Sequence, residues 1–339
     1  MKAPSPLSFV LAALLGSASL LPAGELTLYT QRHYEFDEAL HALFAERTGI
    51  RITVVKAASD ELMARLQSEG ERTPADLFLT ADGSGLARAK AAGLLQPLPD
   101  PSIAEDLPDH LKDADGHWVA LTLRARVLFY APDRVGAGEL STYEDLADPK
   151  WRGRLVSRSS SSPYNQALIA SLIAANGSEA AGAWVRSVRG NMARPPQGSD
   201  RDQIRAVAMG LADVAIANTY YLGLLATSED AKDREAAEKV RIHFPNQEGR
   251  GAHVNISGAG IVKASKKQDD AARFLAFLLS KEVQEKIAEN TFEFPVAPSA
   301  ARSELQQSWG DFKADTVSFE ALGENNAEAV RLFDRGGWE

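Results

Sequence analysis

Apolar and polar positions alternate over residues 25–30 (ELTLYT), which predicts a β-strand. A short turn at 32–34 leads to Phe36, Leu40, Leu43 and Phe44, spaced as one face of a helix that Gly49 closes. The β-rich run 51–56 (RITVVK) predicts the next strand. Ser59 then reads as the N-cap of a helix that carries Leu62, Met63 and Leu66 on one face. A third strand at 75–80 (ADLFLT) precedes a helix around 86–92. Strand and helix in this alternation predict an open, doubly wound sheet.

Two extended runs follow, at 117–123 and 126–131, and a second α/β series begins. It comprises a strand at 154–157, a helix at 165–175 and a loop at 194–199 (RPPQGS). A helix at 202–209, a strand at 213–217 and a helix opening at 221–227 complete its centre. A strand at 241–244, a glycine-bearing extended run at 254–262 and amphipathic helices at 269–279 and 282–289 come next; the tail from 303 is helical and acidic. Two α/β series joined by two crossings, near 120–126 and 252–260, predict two lobes with a cleft between them. One lobe is expected at 24–122 plus 258–302, and the other at 123–257 plus 303–339.

The first 23 residues fit neither series. A positive start, an apolar run from Leu7 to Leu21 and the small-residue end Leu21-Pro22-Ala23 predict a secretory leader. The run is short against the roughly 20 residues that a membrane span needs. With the leader removed, an exported protein without a membrane-spanning segment is expected. The chain has no cysteine, so neither a disulfide nor a thiolate site is available. Its net charge of −9 argues against nucleic acid as a partner. No phosphate loop, dinucleotide fingerprint, zinc-protease helix or nucleophile elbow is present, so an enzyme is the weaker class. Residues 113–116 (DADG) have a faint calcium-loop pattern, but a tight turn explains them better.

The chemistry lies in the tyrosines. Four of the seven, Tyr34, Tyr164, Tyr220 and Tyr221, each follow a predicted strand and open a predicted helix. Open α/β sheets place their ligand contacts at that position. Phenol oxygens converging from several such loops suit a hard trivalent cation such as Fe(III). A free tyrosine has a pKa of about 10, and direct coordination supplies the stabilisation that a phenolate needs near neutral pH. Helix N-termini favour the same negative charge. Arg32, Arg124 and Arg126 lie beside these loops and are expected to offset phenolate charge as hydrogen-bond donors. Taken singly, each tyrosine reads as a half-buried surface residue, and each arginine on 124–126 as the exposed face of a strand. A small organic solute, such as a polyamine, a thiamine-like cation or a phosphonate, is the alternative occupant, stacked on the tyrosine pair.

Segments 30–40 (TQRHYEFDEAL), 74–98, 123–130 (LRARVLFY), 157–168 (SRSSSSPYNQAL) and 215–222 (AIANTYYL) resemble, in that order, the periplasmic ferric-ion-binding proteins of ABC iron importers. The resemblance covers nearly the whole mature chain and is most specific at His33-Tyr34 and Tyr220-Tyr221. It implies the two-lobed periplasmic binding fold of type II. It further implies iron held by Tyr34, Tyr164, Tyr220 and Tyr221, with His33 a fifth or conditional ligand. A monomer in the periplasm, handing Fe(III) to a membrane permease and its ATPase, is expected on the same ground. Another branch of the family carries a Glu after the third strand and a synergistic anion. This chain has Thr80-Ala81-Asp82 there, which places it in the tyrosine-rich branch and leaves an anion in the shell an open question.

Overall fold

The computed structural model describes residues 24–32, 34–136 and 138–339. The expected leader and His33 lie outside the described residues. In chain order the elements are β1 (Gly24–Thr30), α1 (Phe36–Thr48), β2 (Ile50–Lys56), α2 (Ser59–Glu69), β3 (Leu77–Thr80), α3 (Gly83–Ala91), β4 (Leu95–Gln96) and β5 (Val119–Tyr130). The second series runs β6 (Leu155–Val156), α4 (Pro163–Asn176), α5 (Ser178–Asn191), α6 (Asp200–Ala208), β7 (Val214–Asn218), α7 (Tyr220–Ala226), α8 (Ala231–Lys239) and β8 (Arg241–His243). Then come β9 (Val254–Val262), α9 (Gln268–Leu279), α10 (Lys281–Thr291), β10 (Phe294–Pro295), α11 (Glu304–Ser308) and α12 (Phe319–Gly336).

The strands order as β2-β1-β3-β9-β5-β7-β6. β1 pairs in parallel with β2 and β3, and β6 in parallel with β7, as the alternating strand–helix pattern requires. β5 joins the two halves. From Val119 to Ala125 it pairs antiparallel with β9, and from Arg126 onward with β7. The two extended runs expected at 117–123 and 126–131 are thus one continuous strand. Arg124 and Arg126, which the pattern makes an exposed face, are each only 2% exposed. They interrupt the apolar run without leaving the interior, because carboxylates wait for them there.

The result is an α/β protein of the two-lobed kind, with β5 pairing to β9 along its first half and to β7 along its second. Helices α5 and α8 are not anticipated by the pattern reading. The first carries Ala181, Trp184, Val185 and Val188 into the core at helical spacing. Helix α2 begins one residue earlier than expected, with Ser59 as its first helical residue rather than its cap. Its N-cap is Ala58, and the Gln31 side chain accepts from the Ser59 N–H at 3.1 Å. The last helix packs on α3, α4 and α5 and so bridges the two α/β series. At its start the Phe319 ring lies where a Cβ on Gly83 would stand, 2.3 Å from that position. Glycine there permits the close approach.

Candidate metal centre

Each of the four tyrosines stands at or just before the start of a helix. Tyr34 sits between the end of β1 and α1, Tyr164 in the first turn of α4, and Tyr220 and Tyr221 open α7 directly after β7. Pro163 at the start of α4 presets the backbone for a helix without removing a needed donor. All four line one cavity of about 1030 Å³, together with Arg32, Arg124 and Glu293. The structure therefore brings together three loops that are far apart in sequence.

The phenols of α4 and α7 are already in contact. The Tyr220 hydroxyl donates to the Tyr164 oxygen at 3.4 Å, and the Tyr220 and Tyr221 rings lie 4.2 Å apart. Two donors each about 2 Å from one small cation are separated by about 2.8–3.4 Å, so the Tyr164–Tyr220 spacing fits a shared ion. Guanidinium groups surround the Tyr164 ring, with Arg124, Arg158 and Arg126 at 5.5, 5.7 and 6.0 Å from its centroid. Burial pushes the Tyr220 phenol well above its ordinary pKa, and the neighbouring Tyr164 and Tyr221 add to this. Burial and the Asp200 carboxylate push Tyr221 up to about 12. Without a metal, these two groups are neutral phenols at pH 7.

Tyr34 meets the cavity from the segment between β1 and α1. Its hydroxyl donates to Oε1 of Glu293 at 3.2 Å. Burial raises its pKa well above the ordinary value, and Glu293 raises it further against the pull of Arg32 and Arg124. Glu293 itself is 2% exposed. Its Oε2 accepts from Thr122 at 2.5 Å and from Arg32 at 3.1 Å, while Oε1 lies 3.6 Å from Arg124 Nη1. Burial alone would raise the Glu293 pKa, but Arg32 and Arg124 outweigh it and hold the carboxylate below its usual range.

The sequence reading does not single out Glu293. It stands between two phenylalanines in residues 292–294, just past the end of α10. A charge inside a short apolar run before a proline is the signal that marks it. Phe292 adopts a left-handed conformation there (φ 57°) and its ring covers Gly223 of α7, where a Cβ would stand 2.1 Å from the ring. The corner that carries Glu293 thus rests on the helix that carries the tyrosine pair.

The arginines divide. Arg32 lies against the Tyr34 ring at 4.7 Å and is tied to Asp37 and Glu293. Arg124 lines the cavity and donates to the Ala81 carbonyl. Arg126 does not donate to a phenol oxygen, contrary to expectation; its donors reach Asp200, Asn218 and Asn165 behind the tyrosines. Away from the cleft, Asp113, Asp115 and His117 form a compact group, but Lys90 binds both carboxylates at 2.6 and 2.7 Å. Backbone N–H groups of Asp115 and His117 also donate to Asp113, which makes this loop the tight turn expected.

A profile of bacterial extracellular solute-binding proteins matches residues 39–314. The chain belongs to that family. It is 45% identical to Iron uptake protein A1 of Synechocystis over 93% of this chain and 88% of that protein. It is 30% identical to the Major ferric iron-binding protein of Neisseria meningitidis serogroup B, over 97% of each chain. A solved structure of a Trichodesmium protein (IdiA, FutA) in complex with iron and citrate superposes with a TM-score of 0.88 at 43% identity, covering 93% of this chain and all of that one. The family resemblance stated from the tyrosine-bearing segments, and the type II periplasmic binding fold it implies, are both borne out by these relatives. In this solute-binding protein the four tyrosines line one cavity.

Proposed function

We propose that this protein captures Fe(III) in the interlobe cleft through the phenolates of Tyr34, Tyr164, Tyr220 and Tyr221 and delivers it to an ABC-transporter permease. The observation that carries the reading is the meeting of four phenols in one cavity, with two oxygens at 3.4 Å and arginines around them. His33, adjacent to Tyr34, is a further nitrogen ligand in this proposal. The relatives, an iron uptake protein, a ferric iron-binding protein and a protein solved with iron and citrate, favour the same cargo over an organic solute. The cavity is far larger than a bare ion, so it has room for water, a small anion or a chelator alongside the metal. Arg32 and Arg124 would balance the phenolate charge.

We place the division between lobes at the partner change between Ala125 and Arg126 on β5, and ahead of Val254 on β9. Closure about these crossings would carry Tyr34 toward the other three phenols. One protein chain holds one ion and acts outside the cytoplasm after removal of the leader.

The test is a visible spectrum of the mature protein titrated with chelated Fe(III). A saturable charge-transfer band at one iron per chain is expected, and the variant Tyr220→Phe/Tyr221→Phe should lack it. Absence of both colour and bound iron in the unmodified protein would sink the ferric reading and return the cleft to the organic solutes.

A further inference from the structure

Arg126 stands where β5 changes partner. Its neighbour Ala125 pairs with Val254 of β9, and Arg126 pairs with Asn218 of β7. Its backbone is pinned on both sides: the N–H donates to the His253 carbonyl at 2.9 Å, and the carbonyl accepts from the Tyr143 hydroxyl. Its guanidinium is buried and reaches three chain segments at once. Nη1 donates to Asp200 Oδ2 at 2.6 Å and to Asn218 Oδ1 at 3.1 Å. Nη2 donates to Asn165 Oδ1 at 2.6 Å and to Asp200 Oδ1 at 3.3 Å.

Each partner abuts the phenol cluster. Asn165 directly follows Tyr164 in α4. Asn218 ends β7 and is separated from Tyr220 by Thr219 alone, and Thr219 exchanges backbone and side-chain hydrogen bonds with Ala125. Asp200 opens α6, between Ser199 and Arg201 of the cavity wall, and also accepts from the Asn218 N–H at 3.4 Å. A buried ion pair is seldom better for stability than apolar side chains of the same volume. Its best-attested use is to select one arrangement among several. Here the arrangement selected is the relative placement of α4, α6 and α7.

We propose that Arg126 is a positioning residue for the phenol cluster: by gripping Asn165, Asn218 and Asp200 together, it fixes where Tyr164, Tyr220 and Tyr221 present their oxygens. The role rests on the ferric reading for its purpose but not for its geometry. A lysine cannot replace it, because a single ammonium lacks the planar fork that serves three segments.

The experiment uses the mature chain with Arg126→Met/Asp200→Asn, which removes both charges and so leaves neither unpaired in the interior, and with Arg126→Lys and Asn165→Ala beside it. Three readouts are taken: the crystallographic Tyr164–Tyr220 oxygen separation without iron, the position of the Fe(III) band, and the rate of iron loss to a competing chelator. In the double variant the oxygens move off their 3.4 Å spacing, the band shifts, and iron leaves at least about tenfold faster, in line with the loss of an outer partner of a metal ligand. Arg126→Lys gives the same direction of change. Asn165→Ala disturbs Tyr164 and leaves the Tyr220–Tyr221 pair in place. A folded double variant with the original spacing overturns the positioning role, whatever the iron result. A wild-type protein without a band overturns the ferric reading instead, and the spacing still decides the role of Arg126.

Discussion

The two sides of the cleft are built differently. One side presents three tyrosines from the first turns of α4 and α7, with two phenols in contact and a buried Arg126–Asp200 pair behind them. The other side presents Tyr34 from an irregular segment between β1 and α1, and holds its hydroxyl on Glu293. One side is a preassembled cluster on regular elements. The other is a phenol kept in hand by a carboxylate that two arginines keep charged. On the ferric reading proposed above, preorganisation of the larger cluster would reduce the ordering cost of binding an ion, and the single phenol would close over it.

The largest effect should come from the preassembled side. Tyr220→Phe/Tyr221→Phe should weaken Fe(III) binding by more than about a thousandfold, or about 4 kcal/mol, and remove the visible band. Tyr34→Phe should leave a coloured but weaker complex. Chelator competition and the absorption spectrum read both, and equal losses from the two sides would break the comparison.

Acidity tests both sides together. Tyr34, Tyr220 and Tyr221 are held above the ordinary tyrosine pKa, so each is protonated at neutral pH in the iron-free protein. Each that binds Fe(III) gives up its proton. Affinity therefore rises with pH and falls as pH drops, by about one decade per pH unit for each proton released. Competition titrations across the neutral range give the slope, and Tyr34→Phe should lower it by about one proton. An unchanged slope in that variant would remove Tyr34 from the coordination set.

Glu293→Gln addresses the first side alone. The side chain keeps its size but loses the charge that pairs with Arg32 and Arg124, and the Tyr34 phenol loses its anchor. A fall of about 10–100-fold in Fe(III) affinity is expected, with the Tyr220–Tyr221 contact intact in a crystal structure. The smallest effect should follow Gly223→Ala. Its new methyl meets the Phe292 ring, so the corner carrying Glu293 must shift away from α7. Thermal melting should report a loss of about 1–3 kcal/mol.

How much of this the sequence carries depends on distance along the chain. The tyrosines are visible because strand-then-helix periodicity is local, and a ligand position at a strand end follows from it. Two lobes follow from counting α/β series. Glu293 and the Arg126 grip are harder to see. Each acquires its meaning from partners more than thirty residues away, such as Arg126 with Asn165, or Thr122 with Glu293. A charge in an apolar run looks like an interruption until its counter-charge is placed. Arg124 and Arg126 show this directly, since alternation along 123–130 reads as a solvent face when the tertiary partners are unknown.

The pairing of Leu77 with Ile261 sets the order in which the molecule can be finished. β3 lies in the first third of the chain, and its neighbour in the sheet lies in the last third. Until β9 is available, β1, β2 and β3 form a small sheet with an open edge. Contacts of such long sequence separation slow folding and prolong dependence on chaperones. Any fragment ending before residue 254 omits the strand that closes this sheet. An isolated first lobe would therefore have to be made by splicing across the crossing rather than by truncation.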